Sequence, residues 1–493
     1  MKSLKVTPGA KRLIGSLRNL GYECSTAIAD LVDNSIAAGA SEIHVEIQAQ
    51  QGDRPPAIVI ADNGRGMDRE QLYEAMRFGA SQDYSADDLG KFGLGLKTAS
   101  LSQCATLTVS SKAKGTKDTR PRRHYARWDV AHVNDTDDWD LLAPTPDELD
   151  SWECDALEHE AAQERGTVVL WTSLEEPLAL LSAHDVRERE RFLARLIDEV
   201  SAHLRTVFHR FMQGSVTGRR KLNVHVCGKQ LEPWDPFCRA EKTAELDILT
   251  LGVSSPDADK SKGTDRVAFS PFILPREDEF SSPAAFKSAG AKKWNQLQGF
   301  YFYRNNRLLQ SGGWSWMRAV DEHTKLLRIA VDFSRDLDRA FAINITKMRA
   351  RIPADIRDRV ANEVTTWAKK ARHRYDHETA GSKTAPKRSA PARTQPPDAV
   401  PPAIQVGSVT FLQSNMPAPN LTVVDQGFAG RIKVLIPRNH ELASVFTSRN
   451  GDGSEMRQLC LQALTILEAV YEGRIKAKQI PIAALKKALQ RCP

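Results

Sequence analysis

The sequence has few cysteines, and their spacing fits neither a metal module nor a disulfide framework. Seven cysteines are spread over 493 residues, with no C-x-x-C pair among them. Zinc modules need closely spaced cysteines, and disulfide-rich secreted domains use even numbers of them. We therefore expect reduced thiols and exclude both classes of protein.

Long apolar runs are also missing. No segment approaches the roughly 18 apolar residues that a membrane-spanning helix needs, and the N-terminal stretch MKSLKVTPGAKRL lacks the apolar core of a signal peptide. With 41% hydrophobic and 27% charged residues, the composition is that of a globular protein with about two to four domains. We expect a cytoplasmic protein that makes no membrane contact.

The net charge of +7 is modest for the length, but it is unevenly distributed. Eight Lys or Arg and two acidic residues lie between Lys369 and Arg393, within a stretch that continues as GSKTAPKRSAPARTQPPDAVPPA at 381–403. Pro, Ala, Ser and Thr replace any periodic apolar pattern there, which is typical of a linker. Its basic side chains are suited to DNA phosphates, although a solvated tether has the same composition.

The stretch IADLVDNSIAAGA at 28–40 predicts a helix that carries two functional polar groups. Positions i and i+4 of a helix share a face, so Asp30 and Asn34 point the same way while apolar neighbours pack inward. An acid beside an amide can serve a water and a metal ion. Asp33 points about 100° away from Asn34 and is the poorer candidate.

Short apolar or alternating segments predict strands between the helices. These segments are SEIHVEI (41–47), PAIVIADNGRGM (56–67), ATLTVSS (105–111) and GTVVLWT (166–172). Helices and strands therefore mix, as a sheet covered on one side requires. The predicted fold class is α+β, an α/β sandwich.

The segment DNGRGM is a candidate ligand site at the end of a strand. Asp62 ends the apolar run, and Gly64 and Gly66 let the backbone approach a flat ligand. A buried carboxylate at this place can accept a hydrogen bond from an exocyclic amine. The alternative is a plain turn, because D-N-G is a common turn signal.

A second glycine-rich segment is LGKFGLGLKTAS at 89–100. Gly90, Gly93 and Gly95 precede Lys97 and a segment compatible with a helix, and backbone N–H groups at such a helix start can bind phosphates. The spacing is neither that of a P-loop nor that of a Rossmann motif. The segment is weak evidence by itself.

Together, in this order and spacing, the motifs resemble those of the GHKL ATPases, the superfamily of DNA gyrase, the ATP-driven heat-shock chaperone, histidine kinases and MutL. The resemblance covers the acid/Asn helix, the D-x-G-x-G strand end, the glycine-rich segment and a later Gly-Thr strand at Gly166 and Thr167. It implies a Bergerat fold that binds ATP and Mg²⁺.

The resemblance also implies a role for each motif residue. Asp30 would be the general base, and Asn34 would bind Mg²⁺. Hydrolysing members usually carry Glu where this chain has Asp30, which is one methylene shorter, so turnover is expected to be slow. The implied nucleotide contacts are Asp62 and Thr167 for the adenine amino group, Gly64, Gly66 and Met67 around the base, and Gly90, Gly93, Leu94, Gly95 and Lys97 in a lid at roughly 79–97.

Within the superfamily the sequence is most similar to MORC-type proteins. After a helix-like segment at 191–212, LNVHVCGKQLEPWDPF and GFYFYRNNRLLQSGGW resemble transducer strands. INITKMRARIP then offers Lys347 as the second catalytic residue, which would reach the γ-phosphate; an ordinary surface lysine is the alternative.

AHLRT at 202–206 also resembles the phosphoacceptor helix of histidine kinases. That helix precedes the nucleotide domain in kinases, so we expect His203 to be an ordinary helix residue.

The resemblances and the composition of the linker together predict four parts of the chain. A GHKL domain would occupy 1–185, a ribosomal-S5-like transducer 186–378, the basic linker 379–405 and a small C-terminal α+β module 406–493. Strand-like SVTFLQ and GRIKVLIP and a helical EMRQLCLQALTILEAVYEG lie in the last part. We expect that module to bind a protein partner or to dimerise.

The implied function is a Mg-ATP-dependent molecular switch. ATP would drive dimerisation through the N-terminal domains, with residues 1–24 as an exchanged arm, and hydrolysis would reopen the dimer. The resemblance, together with the basic linker, implies action on DNA, and similarity to bacterial MORC-like proteins implies a role in DNA modification or phage defence. The alternative is a non-hydrolysing, ATP-gated scaffold or chaperone-like protein.

Overall fold

The computed structural model describes most of the first 381 residues and four strands beyond them. The described residues are 8–18, 21–79, 95–115, 121–253, 265–290, 294–343, 350–381, 403–406, 409–414, 422–426 and 431–437. The chain divides into two compact units, Met1–Ala385 and Pro386–Pro493. Four predicted site residues, Gly90, Gly93, Leu94 and Lys347, lie outside the described residues.

The described part of the first unit mixes helices and strands along its length, which confirms the predicted α+β class. The helices are α1 (Ala10–Arg18), α2 (Cys24–Ala37), α3 (Arg69–Met76), α4 (Gly95–Leu101), α5 (Val130–Thr136), α6 (Ser151–Leu157), α7 (Val186–Val207), α8 (His209–Met212), α9 (Pro283–Ser288), α10 (Trp294–Leu297) and α11 (Ala354–Gly381). The strands are β1 (Glu42–Gln48), β2 (Ala57–Asp62), β3 (Cys104–Lys112), β4 (Arg123–Asp129), β5 (Gly166–Leu174), β6 (Asn223–Val226), β7 (Lys229–Gln230), β8 (Ala244–Glu245), β9 (Leu249–Val253), β10 (Asp265–Ile273), β11 (Gly299–Arg304), β12 (Arg307–Ser311) and β13 (Leu327–Phe333).

The first sheet has seven strands in the order β4-β3-β5-β2-β1-β6-β7. The four strands predicted from apolar segments are confirmed as β1, β2, β3 and β5. Every residue of the central strand β2 is buried, because its run of Ala, Ile and Val has no polar alternation until Asp62. β6 pairs in parallel with β1, so this sheet extends beyond residue 185, where we predicted the domain boundary.

Helix α2 lies on the sheet and carries the predicted polar groups. The helix predicted at 28–40 is confirmed, although it begins earlier, at Cys24. Its apolar residues Ala27, Ile28, Leu31, Val32 and Ile36 are buried, and burial of each large one contributes about 1.5–3 kcal/mol. The helix ends before a glycine with φ +74°, whose N–H donates to Ile36, a common C-terminal signal.

The second sheet has its own hydrophobic core. Its strand order is β12-β11-β13-β10-β8, with β9 also paired to β10, and every residue of β11 is buried. Asn305 and Asn306 connect β11 to β12 with φ values of +47° and +68°, as a tight two-residue hairpin turn requires. Helix α11 packs on this sheet through Ile356, Val360 and Val364.

The second unit contains four described strands. They are β14 (Ala403–Val406), β15 (Val409–Ser414), β16 (Thr422–Gln426) and β17 (Arg431–Pro437), in the order β14-β15-β17-β16. The segments SVTFLQ and GRIKVLIP therefore contain strands, as predicted, while the helical segment at 455–473 lies outside the described residues. None of the helices in the described ranges is both long and apolar enough to cross a lipid bilayer.

Candidate functional site

The carboxylate of Asp62 lies buried at the end of β2 and is held by three donors. Ser35 Oγ donates to Asp62 Oδ2 at 2.8 Å, and the backbone N–H of Gly64 donates to Oδ1 at 2.8 Å. Burial raises the pKa of Asp62, while the hydrogen bonds from Ser35, Gly64 and the backbone of Thr167 lower it. These donors fix the carboxylate where it can accept a further hydrogen bond from a ligand.

The two glycines of DNGRGM are needed for close approaches within the protein itself. A Cβ at Gly64 would lie 2.8 Å from both the Ala38 Cβ and Asp62 Oδ1. Gly66 has φ +66°, and a Cβ there would lie 1.9 Å from the carbonyl oxygen of Lys112. Both positions therefore exclude side chains, and they bring the loop after β2 against α2 and the end of β3.

A small hydroxyl network joins this loop to two strands. Ser111 Oγ lies 2.8 Å from Thr167 Oγ1 and also contacts the carbonyl of Gly166. The backbone N–H of Met67 donates to Ser111 Oγ at 2.9 Å. Thr167 stands opposite Asp62 in the pairing of β5 with β2, so the fold brings Asp62, Met67 and Thr167 close together.

The two predicted polar residues of α2 differ sharply in exposure. Asn34 is exposed, whereas Asp30 is 3% exposed. Tyr22 donates from its hydroxyl to Asp30 Oδ2 at 3.4 Å, and burial beside Asp30 raises the pKa of that tyrosine. The amide is thus open to a ligand, while the acid has a fixed protein surrounding.

Arg307, from the second sheet, contacts both acids of α2. Its Nε lies 2.8 Å from Asp33 Oδ2, and its Nη2 lies 3.3 Å from Asp30 Oδ1. All three side chains are nearly inaccessible to solvent. Asp33, which the helix geometry marked as the poorer candidate, is therefore an anchor for Arg307.

Lys97 lies inside the protein. Its Nζ donates to the carbonyl of Ala75 at 2.8 Å, near the end of α3, and lies 6.0 Å from the centre of the Phe78 ring. Burial lowers the pKa of Lys97 to about 8. Gly95 is the first residue of α4, the helix that carries Lys97. A phosphate contact for either residue stays a prediction.

Comparison with known proteins agrees with this geometry. Residues 22–164 match the family described as "Histidine kinase-, DNA gyrase B-, and HSP90-like ATPase". This range contains α2, the strand end at Asp62 and the Lys97 helix. The chain therefore contains a GHKL ATPase domain, and residues 22–164 are the part that matches the family.

The proteins similar to this chain include plant MICRORCHIDIA proteins and the bacterial protein MutL. Protein MICRORCHIDIA 5 of Arabidopsis thaliana is 29% identical over 126 residues, which is 24% of this chain and 18% of that protein. Protein MICRORCHIDIA 1 of the same plant is 35% identical over 98 residues, 19% of this chain and 15% of that protein. The DNA mismatch repair protein MutL of Caulobacter vibrioides is 36% identical over 103 residues, 19% of this chain and 16% of that protein. The chain thus matches less than a fifth of the length of each relative.

Several residues that contact the candidate site residues are not evident from the sequence motifs. Ser35 and Ser111 fix Asp62 and Thr167 through single hydroxyl groups, and Ser35 directly follows Asn34 in the sequence. Arg307 lies far along the chain, and only its place in the segment YRNNRLL marks it. His203, in α7, is half-buried, and its burial together with Arg307 lowers its pKa to about 4.

An arginine-lined cavity lies at the C-terminal end of α2. It has a volume of about 300 Å³, and its lining includes Arg65, Arg165, Arg219 and Arg220 but no acidic residue. Arg65 and Arg219 donate to the carbonyls of the last helical turn, at 2.9 and 3.2 Å. Among the described residues, none of these four arginines forms an ion pair with a carboxylate.

Proposed function

We propose that the protein is a Mg-ATP-dependent molecular switch of the MORC or MutL kind, with slow hydrolysis. The observation that carries this proposal is the buried carboxylate of Asp62, held by Ser35 and Gly64 at a strand end beside the Thr167 hydroxyl. A carboxylate so placed accepts the amino group of adenine. A guanine would present a carbonyl oxygen there and leave the buried acceptor without a donor, which costs about 1–3 kcal/mol.

The α2 groups would serve the phosphate end of the nucleotide. Asn34 is exposed, and its amide oxygen is the kind of ligand that Mg²⁺ takes. When bound, Mg²⁺ supplies positive charge to the phosphates. Asp30 would accept the proton of the attacking water, and Lys347 would contact the γ-phosphate. Because Asp30 is short and 3% exposed, its access to that water is limited, which supports slow turnover.

DNA is the partner that the charges favour. The cavity lined by Arg65, Arg165, Arg219 and Arg220 brings four guanidinium groups together without a carboxylate in its lining, and guanidinium binds phosphate with a matching fork of donors. One of the relatives is a DNA mismatch repair protein. We further propose ATP-dependent homodimerisation, a cytoplasmic location and a protein-binding role for the C-terminal module, in DNA modification or phage defence.

Phosphate release from Mg-ATP tests the enzyme. We expect slow turnover by the wild type and a loss of about 100-fold or more in Asp30→Asn and Lys347→Ala, because proton transfer and charge stabilisation each contribute at least that much. Asp62→Asn should raise KM for ATP by about tenfold and weaken discrimination against GTP. Glu70→Gln, an exposed change in α3, is the control.

The same proteins distinguish the switch from a scaffold. Sedimentation with ATP should show a dimer of both proteins. The wild-type dimer should dissociate into monomers as phosphate is released, whereas the Asp30→Asn dimer should persist. A wild type that dimerises with ATP but releases no phosphate, even with duplex DNA, contradicts the enzyme and leaves the ATP-gated scaffold. A wild type that binds no ATP contradicts both.

A further inference from the structure

The hairpin between β11 and β12 is held against helix α8 at the residues just before Arg307. Arg210, in α8, donates to Asn306 Oδ1 at 3.2 Å, pairs with Asp332 and lies 3.5 Å from the centre of the Tyr303 ring. His209 Nε2 lies 2.8 Å from the Tyr303 hydroxyl. These contacts set where the first residue of β12 can reach.

Arg307 spans the two acids of α2 with different atoms. Nε contacts the Asp33 carboxylate at 2.8–2.9 Å, and Nη2 contacts Asp30 at 3.3 Å. A guanidinium group holds its donors in one plane, so fixing Nε on one acid also fixes where Nη2 lies. The shorter contact, with Asp33, is thus the anchor, and the Asp30 contact follows from it.

Resting on the function proposed above, we infer that Arg307 is a positioning residue for Asp30, so that ATP turnover depends on how the β11–β12 hairpin is seated against α2. A carboxylate that only one methylene group separates from the backbone must point in a narrow range of directions to reach a water. Tyr22 holds one oxygen of Asp30 and Arg307 the other. A loosened hairpin would release Arg307 and leave the carboxylate misaimed, while adenine recognition at Asp62 is untouched.

The same hairpin supplies a matched control. Arg304 ends β11, is as deeply buried as Arg307, and forms an ion pair with Asp338 at 2.7 Å. Asp338 belongs to the second sheet's surroundings and not to α2. A substitution at Arg304 therefore removes a buried arginine from this hairpin and spares the contact with Asp30.

Steady-state kinetics of Arg307→Gln, Arg307→Lys, Arg304→Gln and Asp33→Asn test the inference. We expect kcat of Arg307→Gln to fall about 10- to 100-fold, as misplaced catalytic groups do, with KM for ATP changed less than about threefold. Arg307→Lys should recover part of kcat, and Asp33→Asn combined with Arg307→Gln should be no slower than Arg307→Gln alone. The inference is overturned if kcat falls equally in Arg304→Gln and Arg307→Gln, or if Arg307→Gln raises KM for ATP without lowering kcat.

Hydrogen exchange gives a second measurement that needs no turnover. Residues 299–311 should exchange differently with and without a non-hydrolysable ATP analogue in the wild type and Arg304→Gln but not in Arg307→Gln, and Arg307→Lys should show an intermediate difference. Wild-type protein without phosphate release overturns the proposed hydrolysis, whereas exchange that ignores the nucleotide overturns the coupling. The two failures are therefore distinguishable.

Discussion

At the scale of single residues, Lys97 shows how burial changes the protonation of a charged group. Its side chain is 2% exposed, and its ammonium group donates to the Ala75 carbonyl. Burial disfavours the charged form, which is why the pKa falls from 10.5 to about 8. The protonated lysine therefore reduces the stability of the fold at neutral pH.

The sign of the pH effect follows from proton binding. Between pH 8 and pH 10.5 the unfolded chain binds this proton more than the folded protein does, so stability rises with pH. The rise is about 3 kcal/mol for a shift of this size. We expect Lys97→Met to remove it, measured as the difference between wild-type and variant free energies of unfolding in urea across this range.

Lys112→Met is the matched control for that measurement. The Lys112 ammonium also donates to a backbone carbonyl, that of Gln163, but in an exposed place. The wild-type difference from Lys112→Met should change little across the same pH range. Parallel curves for both variants would contradict a special burial effect at Lys97.

The sequence predicted the site residues that stand at recognisable element ends, and it missed those that act across space. Asp62 is the first polar residue of the buried strand β2, so its place at the end of the strand follows from the apolar run before it. Ser35, Ser111 and Arg307 contribute one hydrogen-bonding group each. Nothing in their local sequence tells which distant side chain they meet, because only the packed fold brings them together.

At the scale of elements, the loop after β2 depends on one glycine. Gly66→Ala would place a Cβ 1.9 Å from the Lys112 carbonyl at φ +66°, so the end of β3 must move. We expect the free energy of unfolding to fall by about 3 kcal/mol or more. The movement would also disturb Ser111, and ATP affinity should fall with stability.

Gly52→Ala separates backbone strain from that collision. Gly52 has φ +59°, and a Cβ there meets nothing within 4 Å. Its substitution should cost only the strain of a left-handed alanine, about 1–2 kcal/mol. Denaturant unfolding of both variants provides the test, and equal costs would argue against close packing of the loop on β3.

Elements were predicted better than their grouping. Strands β1, β2, β3 and β5 and helix α2 follow from apolar periodicity, which is a local property. That β6 and β7 complete the first sheet was not predicted, because the parallel pairing of β6 with β1 joins residues about 180 positions apart. Apolar patterns mark a strand but not its partner.

At the scale of the whole molecule, the arginine-lined cavity predicts how the proposed DNA binding responds to salt. Affinity for DNA falls as salt rises, and each phosphate contact that is lost reduces the magnitude of the slope of log affinity against log salt concentration by about one. We expect Arg165→Gln with Arg220→Gln to weaken duplex binding about tenfold or more and to lower the slope by about two. Fluorescence anisotropy of a labelled duplex over a range of salt concentrations measures both.

Two arginines at the start of α7 provide the control for charge alone. Arg187 and Arg191 are exposed and lie outside the cavity lining. Exchanging both for Gln removes the same charge, so affinity and slope should stay near wild type. Equal effects of the two double variants would indicate a diffuse attraction to the duplex rather than a phosphate site in the cavity.

The contact of Arg307 with Asp30 and Asp33 also limits how this protein can recombine with its relatives. The part that matches the GHKL family is 22–164, yet two of its buried acids receive their cation from residue 307. A chimera that exchanges only the GHKL domain would keep its fold if the new helix and the resident hairpin carry opposite charges. If they do not, the chimera would bury unpaired or like charges at this contact. Helix α2 and the β11–β12 hairpin therefore form one electrostatic unit, although about 270 residues of chain separate them.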